Sequence, residues 1–329
     1  MKGPALPRDA KGVFDDGEFC YVAASTLFGP HLTPVVYAFD GGRLWLTTSR
    51  GSAKARAWKA DPTVAGVVRA GDLAVVFRGT VKSYDALDPF TWPSAAVSSP
   101  RLGKAATRFS IKNARFFFGY AVDAYRVPLA WAPPGRVFTA VEMAQGRVLD
   151  LAGGSVVDGW GEWPRGLQAA VSFAAPAAAN DARELDAGVP PEVLHAVGAA
   201  GDGVLAVDGA GSEGPSLTVV PASWERIDGG YEARLARPFA ELTGAEARSR
   251  AALTIDRASA WRAAEMRGIL LRGTAETYVP GITTRGAAAL RRRVGDDDAL
   301  LRLEVERAVW WEGWSSGTVV RPARTGSRR

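Results

Sequence analysis

The chain's 329 residues are long for one domain and comfortable for two. Its composition is that of a globular protein, 47% hydrophobic and 23% charged; no run of eighteen or more uncharged apolar residues appears, and the opening "MKGPALPRDAKGVF" lacks the apolar middle of a signal peptide, so neither a membrane span nor export is expected and the chain reads as cytoplasmic. The single cysteine, Cys20, excludes an internal disulfide and a cysteine-based metal site, while the net charge of +5 is uneven: residues 1–150 hold 19 Lys and Arg against 12 Asp and Glu, and the rest hold 21 against 23.

In chain order, "FCYVAAST" and "HLTPVVYAF" are short apolar runs around the turn "LFGP". Asp40-Gly41-Gly42 is a hairpin signal, because glycine supplies positive φ without steric cost. "RLWLTT" predicts the next strand, and "SAKARAWKA" a short helix stopped by Asp61-Pro62. "TVAGVV" and "LAVVFRGTVKSY" predict two further strands. "SPRLGKAATRFSIKNARFFFGYAVDAY" predicts one long helical stretch, and "RVFTAVEMAQGRVLDL" a closing strand pair. Several short antiparallel strands with one inserted helix suggest a small barrel over residues 12–150. Residues 151–188, rich in Gly, Ala and Pro, read as a linker or crossing segment.

The remainder repeats the beginning. "GPHLTPVVYAF" at 29–39 aligns with "GPSLTVVPASW" at 214–224 through Gly29/Gly214, Pro30/Pro215, Leu32/Leu217, Thr33/Thr218 and Val35/Val220. Each segment is followed by Asp-Gly-Gly, at 40–42 and 228–230, and later by "FRGTVKSY" at 77–84 or "LRGTAETY" at 271–278. Three landmarks in the same order imply two copies of one domain. The second copy is expected at 189–320, with a disordered tail at 321–329.

These residues resemble the FMN-binding split-barrel superfamily, the pyridoxamine 5′-phosphate oxidase-like proteins and their relatives that use the deazaflavin F420. The segment "GPHLTPVVYAFDGGRLWLTTSRGSAKARAWKADPTVAGVV" and the later "FRGTV" carry the resemblance. It implies a mainly β fold with inserted helices: two tandem split barrels forming an intramolecular pseudo-dimer, with or without further association of chains. It also implies FMN or F420 as cofactor, a flavin- or deazaflavin-dependent oxidoreductase, and a small-molecule substrate. On the "LTPVVYAF" strand it makes Thr33, Val35 and Tyr37 the candidates for cofactor-ring contact.

The residues themselves leave a phosphate site and a plain capped helix both open, and it is the repeat with the family resemblance that favours the phosphate. Thr47, Thr48 and Ser49 end a strand with hydroxyl donors, Ser52 stands where a helix is capped, and Lys54 lies in that helix's first turn. A cation there is disfavoured by the helix dipole, and an anion would remove the conflict. The alternative is a capped surface helix with a solvated lysine. Counted without gaps from Asp-Gly-Gly, copy two places Ala240 opposite Ser52 and Leu242 opposite Lys54, so at most one full site per chain is expected. Trp310, Trp311 and Trp314 read as packing or as cofactor contacts, and the charge runs Arg291–Arg293 and Asp296–Asp298 as solvated faces. The two histidines, His31 and His195, are too few for a histidine-rich metal site. His31, beside the proposed site, reads first as a hydrogen-bonded strand histidine, with haem ligation or proton transfer as the alternatives. A non-catalytic flavin or haem sensor is therefore the alternative to an enzyme. Nucleic-acid binding by the basic first half lacks a recognisable motif or interleaved surface aromatics.

Overall fold

The computed structural model describes residues 5–85, 87–88, 91–123, 125, 135–163, 183–211, 214–227, 230–245, 248–258, 262–278 and 298–321. The first half runs α1 (Arg8–Asp16), β1 (Phe19–Thr26), β2 (Gly29–Asp40), β3 (Arg43–Ser49), α2 (Ala53–Ala60), β4 (Thr63–Ala70), β5 (Leu73–Tyr84), α3 (Trp92–Lys112), α4 (Ala114–Val122), β6 (Arg136–Asp150) and β7 (Ser155–Trp160). The second runs α5 (Arg183–Asp186), α6 (Pro191–Val197), β8 (Ala200–Gly211), β9 (Gly214–Ile227), β10 (Gly230–Ala236), α7 (Arg237–Thr243), β11 (Arg248–Arg257), β12 (Arg267–Tyr278), β13 (Asp298–Glu312) and β14 (Ser315–Val320). A 3-10 turn, Ala263–Glu265, precedes β12.

Each half is a closed six-stranded antiparallel barrel with one appended strand. The first sheet is ordered β3-β2-β1-β4-β5-β6-β7 and closes where β3 pairs with β6; the second is β10-β9-β8-β11-β12-β13-β14 and closes where β10 pairs with β13. The two orders are the same permutation, which is the structural form of the sequence repeat. Its "RGT" landmark is a β-bulge in both copies, between Arg78 and Gly79 against β6 and between Arg272 and Gly273 against β13. A Cβ on Gly79 would collide with the carbonyl oxygen of Glu142, and one on Gly273 with that of Glu304, so both positions need glycine for close approach.

Strand alternation explains how the barrels pack. In β1, Cys20, Val22 and Ala24 face the first barrel's interior, joined by Val64 and Val68 of β4, Val75 and Phe77 of β5 and Phe14 of α1. The opposite face presents Ala23, Ala65, Val67, Ala74 and Val76, which share one apolar cluster with Leu205, Val219 and Leu253 of the second barrel. Strands β1, β4 and β5 pack on β9, while β8, β11 and β12 pack on β2, as a pseudo-twofold requires. Polar ties are reciprocal too. Arg78 reaches Thr218 across the seam, and Arg272 donates to Thr26 Oγ1 at 2.5 Å and to the Gly29 carbonyl at 2.6 Å.

Four expectations change. The segment Arg136–Asp150 is one continuous strand, not a pair: Gly146 is not among the positive-φ glycines, and its missing Cβ makes room for the Trp160 ring. The long helix starts earlier, at Trp92, and breaks at Asn113, whose side-chain amide donates to the carbonyls of Tyr37 at 3.1 Å and Phe109 at 2.9 Å. The stretch 151–188 carries strand β7, paired to β6, and helix α5. Finally, α7 begins at Arg237, so helix starts place Ala236 opposite Ser52 and Pro238 opposite Lys54, rather than Ala240 and Leu242. The arginine run at 291–293 and the tail beyond 321 lie outside the described residues. Among the described residues, no helix is long and apolar enough to cross a membrane.

Candidate functional site

Strand β3 ends at Ser49, and the chain turns through Arg50 and Gly51, with Ser52 N–H donating to the Ser49 carbonyl at 3.0 Å. Ser52 is the N-cap of α2: its backbone is extended (φ −67°, ψ 156°), and its Oγ accepts the Ala55 N–H at 3.1 Å. Thr48 Oγ1 lies 3.0 Å from Ser52 Oγ. Arg56 folds back to donate to the Gly51 carbonyl at 2.5 Å, pinning the turn.

Lys54 is not a solvated surface lysine. Its side chain is buried, 4% exposed, and Nζ donates to Thr33 Oγ1 of β2 at 2.5 Å. Burial is the main reason that its pKa falls to about 7; the Cys20 thiol beneath opposes the fall and Arg136 adds to it. Among the described residues Lys54 forms no ion pair, so the first turn of α2 holds a desolvated amine whose charged form has Arg136 as a neighbouring cation. Arg136, the first residue of β6, donates to Thr47 Oγ1 through Nε at 3.0 Å and Nη2 at 2.7 Å, and to the Thr47 carbonyl at 3.0 Å. Burial pulls its guanidinium pKa down as well.

His31, two residues before Thr33 on the same face of β2, has Nδ1 buried without a hydrogen-bond partner. Its pKa is lowered to about 3, chiefly by burial and then by Lys54, Arg272 and Arg56, so the imidazole is neutral at physiological pH. Arg272 comes from the second barrel, where it is buried and bonded to Thr26 and Gly29, and its charge acts on His31.

Of the eight residues singled out from sequence, Thr33 is bonded to Lys54 and Thr48 to Ser52, while Thr47 is bonded to Arg136. Ser49 is half-buried and pairs with Arg136 in the ladder that closes the barrel. Val35 packs against the barrel interior. Tyr37 is fully buried deeper in the barrel, its hydroxyl donating to the Phe14 carbonyl at 2.8 Å and its ring lying 3.8 Å from Lys112 Nζ. Sequence reasoning missed Arg136 and Arg272. Neither is near the hydroxyl cluster in sequence; only barrel closure brings the first and the seam between copies the second. Of the aromatic trio, Trp310 covers Gly317, Trp311 covers Gly268, and Trp314 meets Tyr120 of α4 edge-on at 4.9 Å.

Two closed barrels of one topology, back to back, with a hydroxyl- and cation-lined helix start in the first, define a tandem split barrel. Residues 8–89, from α1 through β5 and beyond, match the family model described as Pyridoxamine 5'-phosphate oxidase. The resemblance to the FMN-binding split-barrel superfamily therefore holds, on this match and on the paired barrels. Similar solved structures include an FMN-binding protein related to pyridoxamine 5'-phosphate oxidase from Nostoc punctiforme, 16% identical over 45% of this chain and 86% of its own, with a TM-score of 0.33. An F420 reductase is 20% identical over 43% of this chain and 98% of its own, with a TM-score of 0.29. A FAD-binding protein from Mesorhizobium loti is 16% identical over 44% and 94%, with a TM-score of 0.30. Among curated proteins none matches the chain.

Proposed function

We propose that the first barrel binds a flavin-type cofactor by its phosphate, FMN first and F420 next, and that the chain is an oxidoreductase acting on a small-molecule substrate by hydride transfer at the cofactor ring. The observation that carries the reading is Lys54, a buried cation with no ion-pair partner among the described residues, in the first turn of a helix. Such a group is costly unless an anion joins it, and a helix N-terminus offers that anion free N–H donors and the favourable dipole end. The donor set fits a phosphate: an ammonium, the Ser52 and Thr48 hydroxyls, and the Arg136 guanidinium behind Thr47.

A bound flavin or deazaflavin would supply the hydride-accepting and hydride-donating ring. The chain's own residues hold and orient it. Lys54 and the N-terminal N–H groups of α2 would take the phosphate, while Thr47, Thr48 and Ser49 add hydroxyls. Thr33 and Val35 form the adjacent strand face, and Tyr37 braces that strand from within through Phe14. No catalytic side chain is assigned, because hydride transfer at the ring needs none. A second reading, a non-catalytic flavin or haem carrier, draws on His31, which is neutral with an unbonded Nδ1.

The test is the visible absorption spectrum of the purified chain before and after incubation with FMN, F420 and haem, read again after gel filtration. A retained flavin or deazaflavin band is expected, and its reoxidation on adding candidate substrates would mark an enzyme. A retained Soret band moves the assignment to haem and His31. No retained chromophore overturns the phosphate reading.

A further inference from the structure

The barrel seam holds a second feature that the cofactor site does not use. Phe77 and Leu271 are corresponding residues of the repeat; they pair with Gly66 of β4 and Leu253 of β11. Three residues further along those strands stand Arg69 and Asp256. The duplication has thus placed a cation in one copy and an anion in the other at the same position. Both line a single cleft of about 400 Å³ at the seam, together with Tyr21, Gly201, Trp224 and Arg257. Residues of both copies in corresponding positions share this cleft, so it lies beside the pseudo-twofold. Lys54 and α2 do not line it.

The polar groups of this cleft are unevenly satisfied. Arg69 is held by Asp202 at 3.2 Å, and Arg257 Nε donates to the Ala196 carbonyl at 3.0 Å. Tyr21 donates its hydroxyl to Asp256 Oδ1 at 3.0 Å. Asp256 Oδ2 is buried with no hydrogen-bond partner. An ionised carboxylate is acceptor-only, and a buried oxygen of that kind without a donor is expensive. Burial has raised the Asp256 pKa to about 6, against the hydrogen bond from Tyr21 and the charge of Arg257, so the group is still mostly ionised at neutral pH.

We propose that this cleft is a binding site for a small molecule bearing a primary ammonium group, with Asp256 as its anchor. An ammonium brings three donors on a compact charge, one of which Oδ2 lacks. A cleft of this volume falls within the range of small-molecule sites. The site is independent of the flavin reading.

The experiment is calorimetric titration of phenethylamine into the full chain, with 2-phenylethanol and 3-phenylpropionate as uncharged and anionic counterparts. One equivalent of the amine is expected to bind, with the alcohol at least tenfold weaker and the acid weaker still. Asp256→Asn keeps the size and the Tyr21 contact while removing the charge, and is expected to lose at least tenfold in amine affinity. Amine affinity should also fall as pH drops from 7.5 to 5, because Asp256 takes up its proton there. The other groups facing it are Tyr21 of β1, Arg69 of β4, Asp202 of β8 and Arg257 of β11; burial beside Asp256 keeps the Tyr21 hydroxyl protonated throughout this range. No binding of the amine, equal binding of the alcohol, or an unchanged affinity in a folded Asp256→Asn variant would overturn the proposal. If that variant does not fold, the amine–alcohol comparison on the unaltered chain decides.

Discussion

The start of α2 and the start of α7 occupy corresponding places in two barrels of the same strand order, and they do different work. At α2 the cap is Ser52, whose hydroxyl holds the Ala55 N–H, and the second helical residue is the buried Lys54. At α7 the cap is Ala236 with no side-chain bond, the second residue is Pro238, and the flanking Leu235 and Phe239 are buried apolar side chains. The barrel frame is thus kept where it is geometric, at the bulges and the reciprocal seam. It diverges at the two helix starts, which is why fold alone does not assign function.

The largest expected effect breaks what the two halves share. Gly79→Ala and Gly273→Ala each drive a methyl into a facing carbonyl oxygen, of Glu142 or Glu304. Each should cost about 2–3 kcal/mol in urea unfolding, as overpacking against immovable backbone does. Matching losses would show that the two bulges are equivalent; a loss confined to one would show that only that barrel depends on the kink.

Next comes what they do not share. Lys54→Met fills the buried volume without the charge and should weaken FMN binding about 10–100-fold, the worth of one charge-assisted contact of roughly 1.5–3 kcal/mol. Pro238→Ala, at the matching place, should leave that affinity within twofold. Apo stability should hold or rise in Lys54→Met, since an unpaired buried cation has been removed. Unchanged FMN affinity in Lys54→Met would remove the phosphate site from the first barrel.

How much of this could be read from sequence follows from the range of the interactions. The Gly-Pro, Asp-Gly-Gly and Arg-Gly-Thr landmarks are short local patterns, so the repeat was legible in the sequence. The hydroxyls and Lys54 sit within eight residues, from Thr47 to Lys54, and were legible as a cluster. Their partners were not. Arg136 reaches Thr47 only because β3 and β6 close the barrel, and Arg272 reaches Gly29 only across the seam. Glycine was the ambiguous letter: at Gly41 and Gly42 it makes the turn its pattern implied, with φ of 60° and 76°, whereas Gly146 clears space for Trp160 inside an unbroken strand. Burial decided the rest. Tyr37 shares strand parity with Thr33, but its hydroxyl is taken by Phe14.

The pH dependence of the first barrel sharpens the comparison further, because its sign differs for folding and for binding. Lys54 has a folded pKa of about 7, against about 10.4 for an unfolded lysine. Between those values the unfolded chain carries the extra proton, so the Lys54 contribution raises stability as pH increases through that window; below pH 7 both states are protonated and the burial penalty is complete. Phosphate favours the charged ammonium, so FMN affinity should instead fall several-fold between pH 6.5 and 8.5. Fluorescence titrations across that range should show the fall in the unaltered chain and a flat profile in Lys54→Met. A flat profile in both would mean that the ammonium stays charged, or stays out of contact, whatever the pH.

The smallest expected effect asks whether the two helix starts can be interchanged. Ser52→Ala removes a cap bond and should cost about 1 kcal/mol, within the usual range for serine caps. Ala236→Ser is its mirror image. The Ala236 backbone is already extended, with φ −55° and ψ 140°, close to that of Ser52. A serine hydroxyl there has fewer donors to serve, because Pro238 has no N–H and only that of Phe239 remains within a cap's reach. The gain should therefore be a few tenths of a kcal/mol, smaller than the loss at Ser52. Equal and opposite changes would mean that the proline does not matter and that the two starts differ only in the cap. A net loss in Ala236→Ser would place the difference in the turn at Gly154, which abuts the Ala236 methyl, and would make the second barrel's helix start a packing surface that tolerates no hydroxyl.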